Sequence, residues 1–212
     1  MTIHLPDWDE NYHSKHGALQ EAVHVFIKTG LHHFLEKSSK SAISILEVGF
    51  GTGLNAFLTF LEAQQLQLKV EYTGVEAYPV TSEEISALNY VEKLSVENLS
   101  WALQRMHDCA WEEQIEISEN FKLEKLQKKF DEITSNDAFD IVYFDAFGAR
   151  VQPELWTEQI FEIMYAALKT EGILVTYSAK GSVRRALQKV GFVVERLPGP
   201  PGKREMLRAT KI

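Results

Sequence analysis

The sequence has one cysteine, Cys109, only six prolines, and no run of apolar residues that approaches the roughly 18 a membrane span needs. A single thiol cannot close an internal bridge, so a disulfide scaffold is excluded, and Cys109 is taken as core filler rather than nucleophile. The opening Met1-Thr2-Ile3-His4-Leu5-Pro6-Asp7-Trp8 lacks both the basic head and the apolar stretch of a leader. No repeat and no low-complexity segment is present, which excludes a solenoid. The 212 residues, 45% hydrophobic and 25% charged, suffice for one sizeable core. The expectation is a soluble, cytoplasmic protein with no membrane contact.

The net charge of −8 argues against a protein that coats nucleic acid along its whole surface. From Lys180 onward, however, nine basic residues face two acidic ones, giving +7 at this end and −15 over residues 1–179. An acidic body with a basic C-terminal end is a charge asymmetry of the kind an anionic partner would use.

Apolar spacing over Gly17 to Glu36 predicts an amphipathic helix, within an N-terminal extension (1–38) packed on a main domain (39–212). Ala42 to Val48 reads as a buried strand and Gly53 to Leu66 as the helix after it. Strands follow at Val70–Val75, Phe121–Leu126, Phe139–Asp145 and Ile173–Tyr177, with helices over Ser82–Leu94, Glu97–His107, Glu154–Leu168 and Ser182–Val190. The last two strands, Phe192–Leu197 and Glu205–Ala209, are joined by Pro198-Gly199-Pro200-Pro201-Gly202, too short for a helical crossover, so they must be antiparallel. The predicted fold is α/β, a three-layer doubly wound, mostly parallel seven-stranded sheet with a C-terminal antiparallel hairpin. Its ligands belong at the carboxyl ends of the strands.

Glu47-Val48-Gly49-Phe50-Gly51-Thr52-Gly53 sits between the first strand and its helix. Leu54 stands where a dinucleotide GxGxxG fingerprint would have its last glycine, and no GxxxxGK[ST] is present, so both phosphate-cradling alternatives weaken. A helix N-terminus still suits a carboxylate, and Glu47 suits an ammonium, which together make an amino-acid moiety. Glu76, ending the second strand, is placed to accept ribose hydroxyls. Ribose plus amino acid describes S-adenosylmethionine. Asp145 ends the fourth parallel strand and brings a carboxylate to the same edge, next to Ala146 and Phe147.

The segments Leu46-Glu47-Val48-Gly49-Phe50-Gly51-Thr52-Gly53-Leu54-Asn55, Tyr143-Phe144-Asp145-Ala146-Phe147, Pro153-Glu154-Leu155-Trp156, Val183-Arg184-Arg185-Ala186-Leu187 with Gly191-Phe192, and Lys203-Arg204-Glu205-Met206 resemble the methyltransferase domain of the bifunctional MnmC proteins of tRNA modification and their stand-alone relatives. The resemblance runs from about Tyr12 to Arg208. It implies a class I, Rossmann-like methyltransferase that methylates the primary amine of 5-aminomethyl-2-thiouridine at the tRNA wobble position, giving 5-methylaminomethyl-2-thiouridine. The candidate cofactor-binding residues are Glu47, Gly49, Phe50, Gly51, Gly53, Leu54, Asn55, Glu76 and Ala77, with Asp145 as the catalytic candidate. Phe147, Trp156, Lys180, Arg184, Arg185, Lys203 and Arg204 are the candidates for substrate and tRNA.

Nothing follows Ile212, so the FAD-dependent oxidase half of the bifunctional relatives is expected to be absent. FAD is then not a cofactor, and a separate enzyme would supply the aminomethyl group. Relatives carry an acidic residue at the end of the third strand near the adenine amino group. In this chain Asp131, Gln127 or backbone groups of 126–131 are alternatives for that place. Seven histidines include the pairs His13/His16 and His32/His33, but without a cysteine pair or H-E-x-x-H no metal site is expected.

An alkylamine with a pKa near that of lysine, about 10.4, is neutral in only about one molecule in a thousand at pH 7. Asp145 is therefore assigned first to orienting the amine and second to taking its proton. Two other functions stay open on sequence alone: a methyl- or aminopropyltransferase acting on a small-molecule amine, and a non-catalytic RNA-binding module on the same fold.

Overall fold

A computed structural model of the chain describes residues 4–5, 10–11 and 17–212. His4–Leu5 and Glu10–Asn11 form a small antiparallel pair. The rest of the first sixteen residues, including His13 and His16 and the first part of the expected extension, lie outside the described residues.

A helix over residues 18–37 (α1) leads into β1 (Ala42–Val48), α2 (Leu54–Leu66) and β2 (Lys69–Val75). Short helices α3 (Ser82–Ser86) and α4 (Tyr90–Leu94) and then α5 (Ser100–Asp108) precede β3 (Gln114–Ser118) and β4 (Phe121–Leu126). The chain finishes with β5 (Phe139–Phe144), α6 (Glu158–Ala167), β6 (Leu168–Thr176), α7 (Gly181–Val190), β7 (Val193–Pro198) and β8 (Glu205–Thr210). The strands form one sheet in the order β3-β4-β2-β1-β5-β6-β8-β7. The five strands β4, β2, β1, β5 and β6 run parallel, and antiparallel partners close both edges.

The central strands are apolar on both faces because both faces are covered. Ile43, Ile45, Ile141, Tyr143, Ile173 and Val175 pack with α1, α2 and α5, whereas Leu46, Val48, Val142, Phe144 and Leu174 pack with α6 and α7. That alternation gives the expected three layers. The exception in β5 is Asp140, 1% exposed, which accepts hydrogen bonds from Lys40 Nζ at 2.6 Å, Ser44 N at 2.8 Å and Lys169 Nζ at 3.0 Å. It ties β1, β5 and β6 together at the end of the sheet remote from the parallel strands' carboxyl ends.

Three details depart from the sequence expectation. The sheet has eight strands rather than seven: β3 is an edge strand whose only apolar residues, Ile115 and Ile117, alternate with polar ones, and it joins β4 through the two-residue turn Glu119-Asn120. The helix expected over 82–94 is broken into α3 and α4. The strand expected over 173–177 begins earlier, at Leu168. Gly172 sits at an irregularity of β6, where a Cβ would lie 2.7 Å from the Lys169 carbonyl oxygen. The N-terminal helix forms as expected, but residues Val23–His32 wind as a π-helix within it, which apolar spacing does not reveal. No helix among the described residues is long and apolar enough to cross a membrane.

Candidate active site

The carboxyl ends of β1, β2, β4, β5 and β6 open onto one cavity of about 1210 Å³, closed on one side by the start of α1. The glycine turn between β1 and α2 forms its floor. Gly49 has φ 93°, and a Cβ there would lie 2.7 Å from the Asp145 carbonyl oxygen, so only glycine fits the close passage of β1 past β5. The Gly49 and Phe50 amides donate to the Val75 carbonyl at 3.0 and 3.1 Å, tying the turn to β2. Gly53, with φ 71°, is the N-cap of α2. The ring of Phe50 is buried against Gly74, where a Cβ would come within 2.3 Å of it, so Phe50 anchors the turn from below. Leu54 and Asn55 open α2 at the cavity wall.

Glu76 follows β2 and is 8% exposed. Its Oε2 accepts from the Gly51 amide and its Oε1 from the Tyr78 amide, both at 3.0 Å. Burial pushes its pKa up, against the pull of these amides. A carboxylate has about four lone-pair sites, so acceptor capacity remains for a hydroxyl. Ala77 lines the cavity beside Glu76, and Asp131 lines it as well. Gln127 is exposed, is not among the lining residues, and engages Glu112 through its backbone amide. Of the two side chains weighed for the adenine end, Asp131 is the one brought to the cavity.

Four polar side chains are joined at the floor. Asn55 Nδ2 donates to Glu47 Oε1 at 2.8 Å and to Asp145 Oδ2 at 2.9 Å, and the Tyr72 hydroxyl donates to Glu47 Oε2 at 2.8 Å. Glu47 is 1% exposed, and burial, reinforced by the Asp145 charge, raises its pKa well above the usual carboxylate range. Glu47 thus has a donor on each oxygen and holds Asn55 in place, rather than offering a bare acceptor at the strand end. Asp145 is fixed by its amide, which donates to the Val48 carbonyl at 2.9 Å. Burial pushes its carboxyl up to about 7; the Asn55 hydrogen bond lowers it, Glu21 raises it and Lys203 lowers it. A carboxylate poised there exchanges protons near neutrality.

Glu21 has no motif to announce it; it reaches the cavity because α1 folds over the strand ends. Lys203 Nζ donates to Glu21 Oε1 at 2.7 Å and lies 3.8 Å from the Tyr177 ring centroid. Lys203, one of the candidates for substrate and tRNA, is thus drawn into the cavity by a carboxylate and an aromatic face. Trp156, also a candidate for substrate and tRNA, lies behind the cavity wall. It is 6% exposed, packs 5.0 Å from Phe144 and does not line the cavity. Its indole N–H donates to the Phe147 carbonyl at 2.7 Å, so it supports the loop from which Phe147 lines the site.

The basic end is thinner than its charge suggests. Lys189 pairs with Glu158, Arg196 with Glu205, Arg208 with Glu195 and Lys211 with Asp137. Lys180, Arg184, Arg185 and Arg204 make no ion pair among the described residues; Arg184 is half-buried and the other three are exposed. Among the described residues no three His, Cys, Asp or Glu side chains are grouped to hold a metal ion. His32 bonds Glu62 at 2.7 Å, and burial pushes half-buried His107 down to about 4.

Residues 89–212, more than half of the chain, match the family of S-adenosyl-L-methionine-dependent methyltransferases. The match begins beyond the glycine turn and Glu76, so these two lines of support rest on different residues. The chain is similar to the tRNA 5-methylaminomethyl-2-thiouridine biosynthesis bifunctional protein MnmC of Marinomonas sp., with 30% identity over 96% of this chain and 31% of that protein. It is 29% identical to the protein of the same name from Nitrosospira multiformis, over 93% of this chain and 33% of that protein. The chain therefore spans about a third of the length of these curated relatives. Among solved structures it is similar to MNMC2 from Aquifex aeolicus, with a TM-score of 0.79 and 27% identity over 98% of this chain and 66% of that one. Spermidine synthase from Thermotoga maritima, at a TM-score of 0.59 and 15% identity over 100% of this chain and 68% of that one, shares the fold.

Proposed function

The chain belongs to the S-adenosyl-L-methionine-dependent methyltransferases, and from that premise we propose that it methylates the primary amine of 5-aminomethyl-2-thiouridine at the tRNA wobble position, in the cytoplasm, to give 5-methylaminomethyl-2-thiouridine. The observation that carries the proposal is Asp145: a carboxyl at the cavity floor, raised to about 7 and held by Asn55, suited to an amine.

The cavity fits the cofactor. Gly49 and Gly51 of the turn line the cavity, and Glu76 is pinned by amides with acceptor capacity to spare. Glu76 would take the ribose hydroxyls, Ala77 and Asp131 the adenine, and the turn with the first residues of α2 the amino-acid end. When bound, S-adenosylmethionine supplies a methyl group on a positively charged sulfur, so that the amine forms an N–C bond as the C–S bond breaks and its electron pair leaves with sulfur.

The protein's own task is to deliver a neutral amine. Proton transfer from an ammonium of pKa about 10.4 to a carboxylate near 7 is uphill by about 4–5 kcal/mol, well within reach of a catalysed step. Asp145 takes that proton, while Phe147, braced by Trp156, screens the amine from water. Lys180, Arg184, Arg185 and Arg204 support an RNA substrate, since phosphate contacts give affinity without reading sequence. A wobble base in an anticodon loop is already exposed, which lowers the cost of presenting it. The aminomethyl group itself comes from a catalytic unit other than this methyl-transferring one.

The test is transfer of labelled methyl to two tRNAs that differ only in the wobble aminomethyl group. Label should enter the one that carries it. Equal labelling of both, or of a small free amine as efficiently as tRNA, would refute the assignment.

A further inference from the structure

Helix α1 supplies the cavity with a carboxylate that the steps above leave without a task. Glu21 lines the same cavity as Asp145 and Phe147 and lies just before the π segment that begins at Val23. Its two oxygens are treated differently. Oε1 takes the Lys203 ammonium at 2.7 Å, and Lys203 is itself seated on Tyr177, whose hydroxyl donates at 2.8 Å to the carbonyl of Ala146, next to Asp145. Oε2 is buried and has no hydrogen-bond partner among the described residues. A carboxylate clamped through one oxygen and bare at the other, away from water, is a costly arrangement that a ligand's donor relieves. Glu21 and Lys203 also act electrostatically on Asp145, with opposite signs.

We propose that Glu21 is the second acceptor for the substrate amine, so that the Asp145 carboxyl and Glu21 Oε2 each hold one N–H of the exocyclic nitrogen and restrict the product to a single methyl group. The proposal rests on the amine-methylating function argued above. An ammonium presents three N–H bonds. Once Asp145 has accepted one proton, the lone pair left behind points at Asp145, where it is of no use. A turn of about 120° about the C–N bond, between staggered positions, brings an N–H back to the Asp145 carboxyl and directs the lone pair into the cavity. One acceptor leaves that rotation free. A second, on Glu21, selects a single orientation. The monomethylated product in its neutral form has one N–H only, so with its lone pair facing the cavity it must set a methyl group against one of two buried acceptors. The second transfer is thereby disfavoured.

The test uses the full chain, tRNA bearing 5-aminomethyl-2-thiouridine, labelled S-adenosylmethionine, and the variants Glu21→Gln, which keeps volume and one acceptor oxygen, and Glu21→Ala. Cofactor affinity by calorimetry should match that of the unaltered protein, and a cooperative melt should show that both variants fold. The kcat should fall by about 10–100-fold in Glu21→Ala and by less in Glu21→Gln, and the ratio of dimethylated to monomethylated nucleoside should rise. Unchanged kcat and unchanged product ratio in both variants would overturn the proposal, as would loss of cofactor binding in step with kcat, which would make Glu21 a support of the cofactor site. Failure of the unaltered protein to methylate this tRNA would overturn the parent function instead and is scored separately.

Discussion

Asn55→Ala should move the pH dependence of the reaction, because Asn55 Nδ2 is the donor to both Asp145 Oδ2, at 2.9 Å, and Glu47 Oε1, at 2.8 Å. Asp145 must be ionised to take a proton, so the rate rises with pH through its pKa of about 7. The hydrogen bond from Asn55 favours the charged form; its removal pushes the pKa further up. A hydrogen bond to a charged group contributes about 1.5–3 kcal/mol, which corresponds to a shift of roughly 1–2 pH units. The ascending limb of kcat against pH should therefore move from near 7 to about 8–9, with a loss of about tenfold or more at pH 7 that is recovered at higher pH. Single-turnover methyl transfer across pH 6–9.5 at saturating cofactor provides the profile, with cofactor affinity measured in parallel. An ascending limb that stays at the unaltered protein's pH, or a loss of rate equal at every pH, would refute the role given to the Asn55–Asp145 contact.

The raised pKa of Asp145 also has a stability consequence. A carboxyl that sits at about 7 in the fold, against 3.8 otherwise, favours the folded state fully at low pH and loses that contribution as pH rises through 7. Asp145→Asn, which stays neutral, should thus exceed the unaltered protein in stability by about 2 kcal/mol at pH 5 and by about 4 kcal/mol at pH 8; a constant difference across that range would contradict the assignment. Glu76→Ala should weaken S-adenosylmethionine binding at least about tenfold in calorimetry, through lost hydroxyl contacts and the freed Gly51 and Tyr78 amides; unchanged affinity would remove Glu76 from the cofactor site. Arg184→Glu with Arg185→Glu should raise the KM for tRNA and flatten its salt dependence while leaving cofactor affinity intact; an unchanged salt slope would place the RNA elsewhere.

The parts of the site legible in the sequence lie at ends of buried parallel strands. Such strands are unbroken apolar runs, so the first glycine or acid after each run marks the sheet edge where ligands bind, and Gly49, Glu76 and Asp145 all emerge there. Strand β3 was hidden because an edge strand is half polar and short, with Ile115 and Ile117 as its whole apolar content. Charge counting overstated the basic end because it does not see partners: Lys203 and Arg208 are consumed by Glu21 and Glu195. Aromatic residues near a site were equally ambiguous, since Phe147 lines the cavity and Trp156 braces it from behind. Glu21 lay beyond sequence reasoning altogether. Its place follows from how α1, wound in part as a π-helix, crosses the strand ends, and only the tertiary fold brings it to Asp145.

Under the proposed function, the chain would place one methyl group on the wobble aminomethyl nitrogen of tRNA. The most direct test is mass analysis of nucleosides from tRNA carrying 5-aminomethyl-2-thiouridine after incubation with the protein and methyl-labelled S-adenosylmethionine. The predicted result is conversion of that nucleoside to 5-methylaminomethyl-2-thiouridine with one label per molecule and none elsewhere, abolished in Asp145→Ala with cofactor binding retained. Label in any other nucleoside, or conversion undiminished in Asp145→Ala, would contradict it.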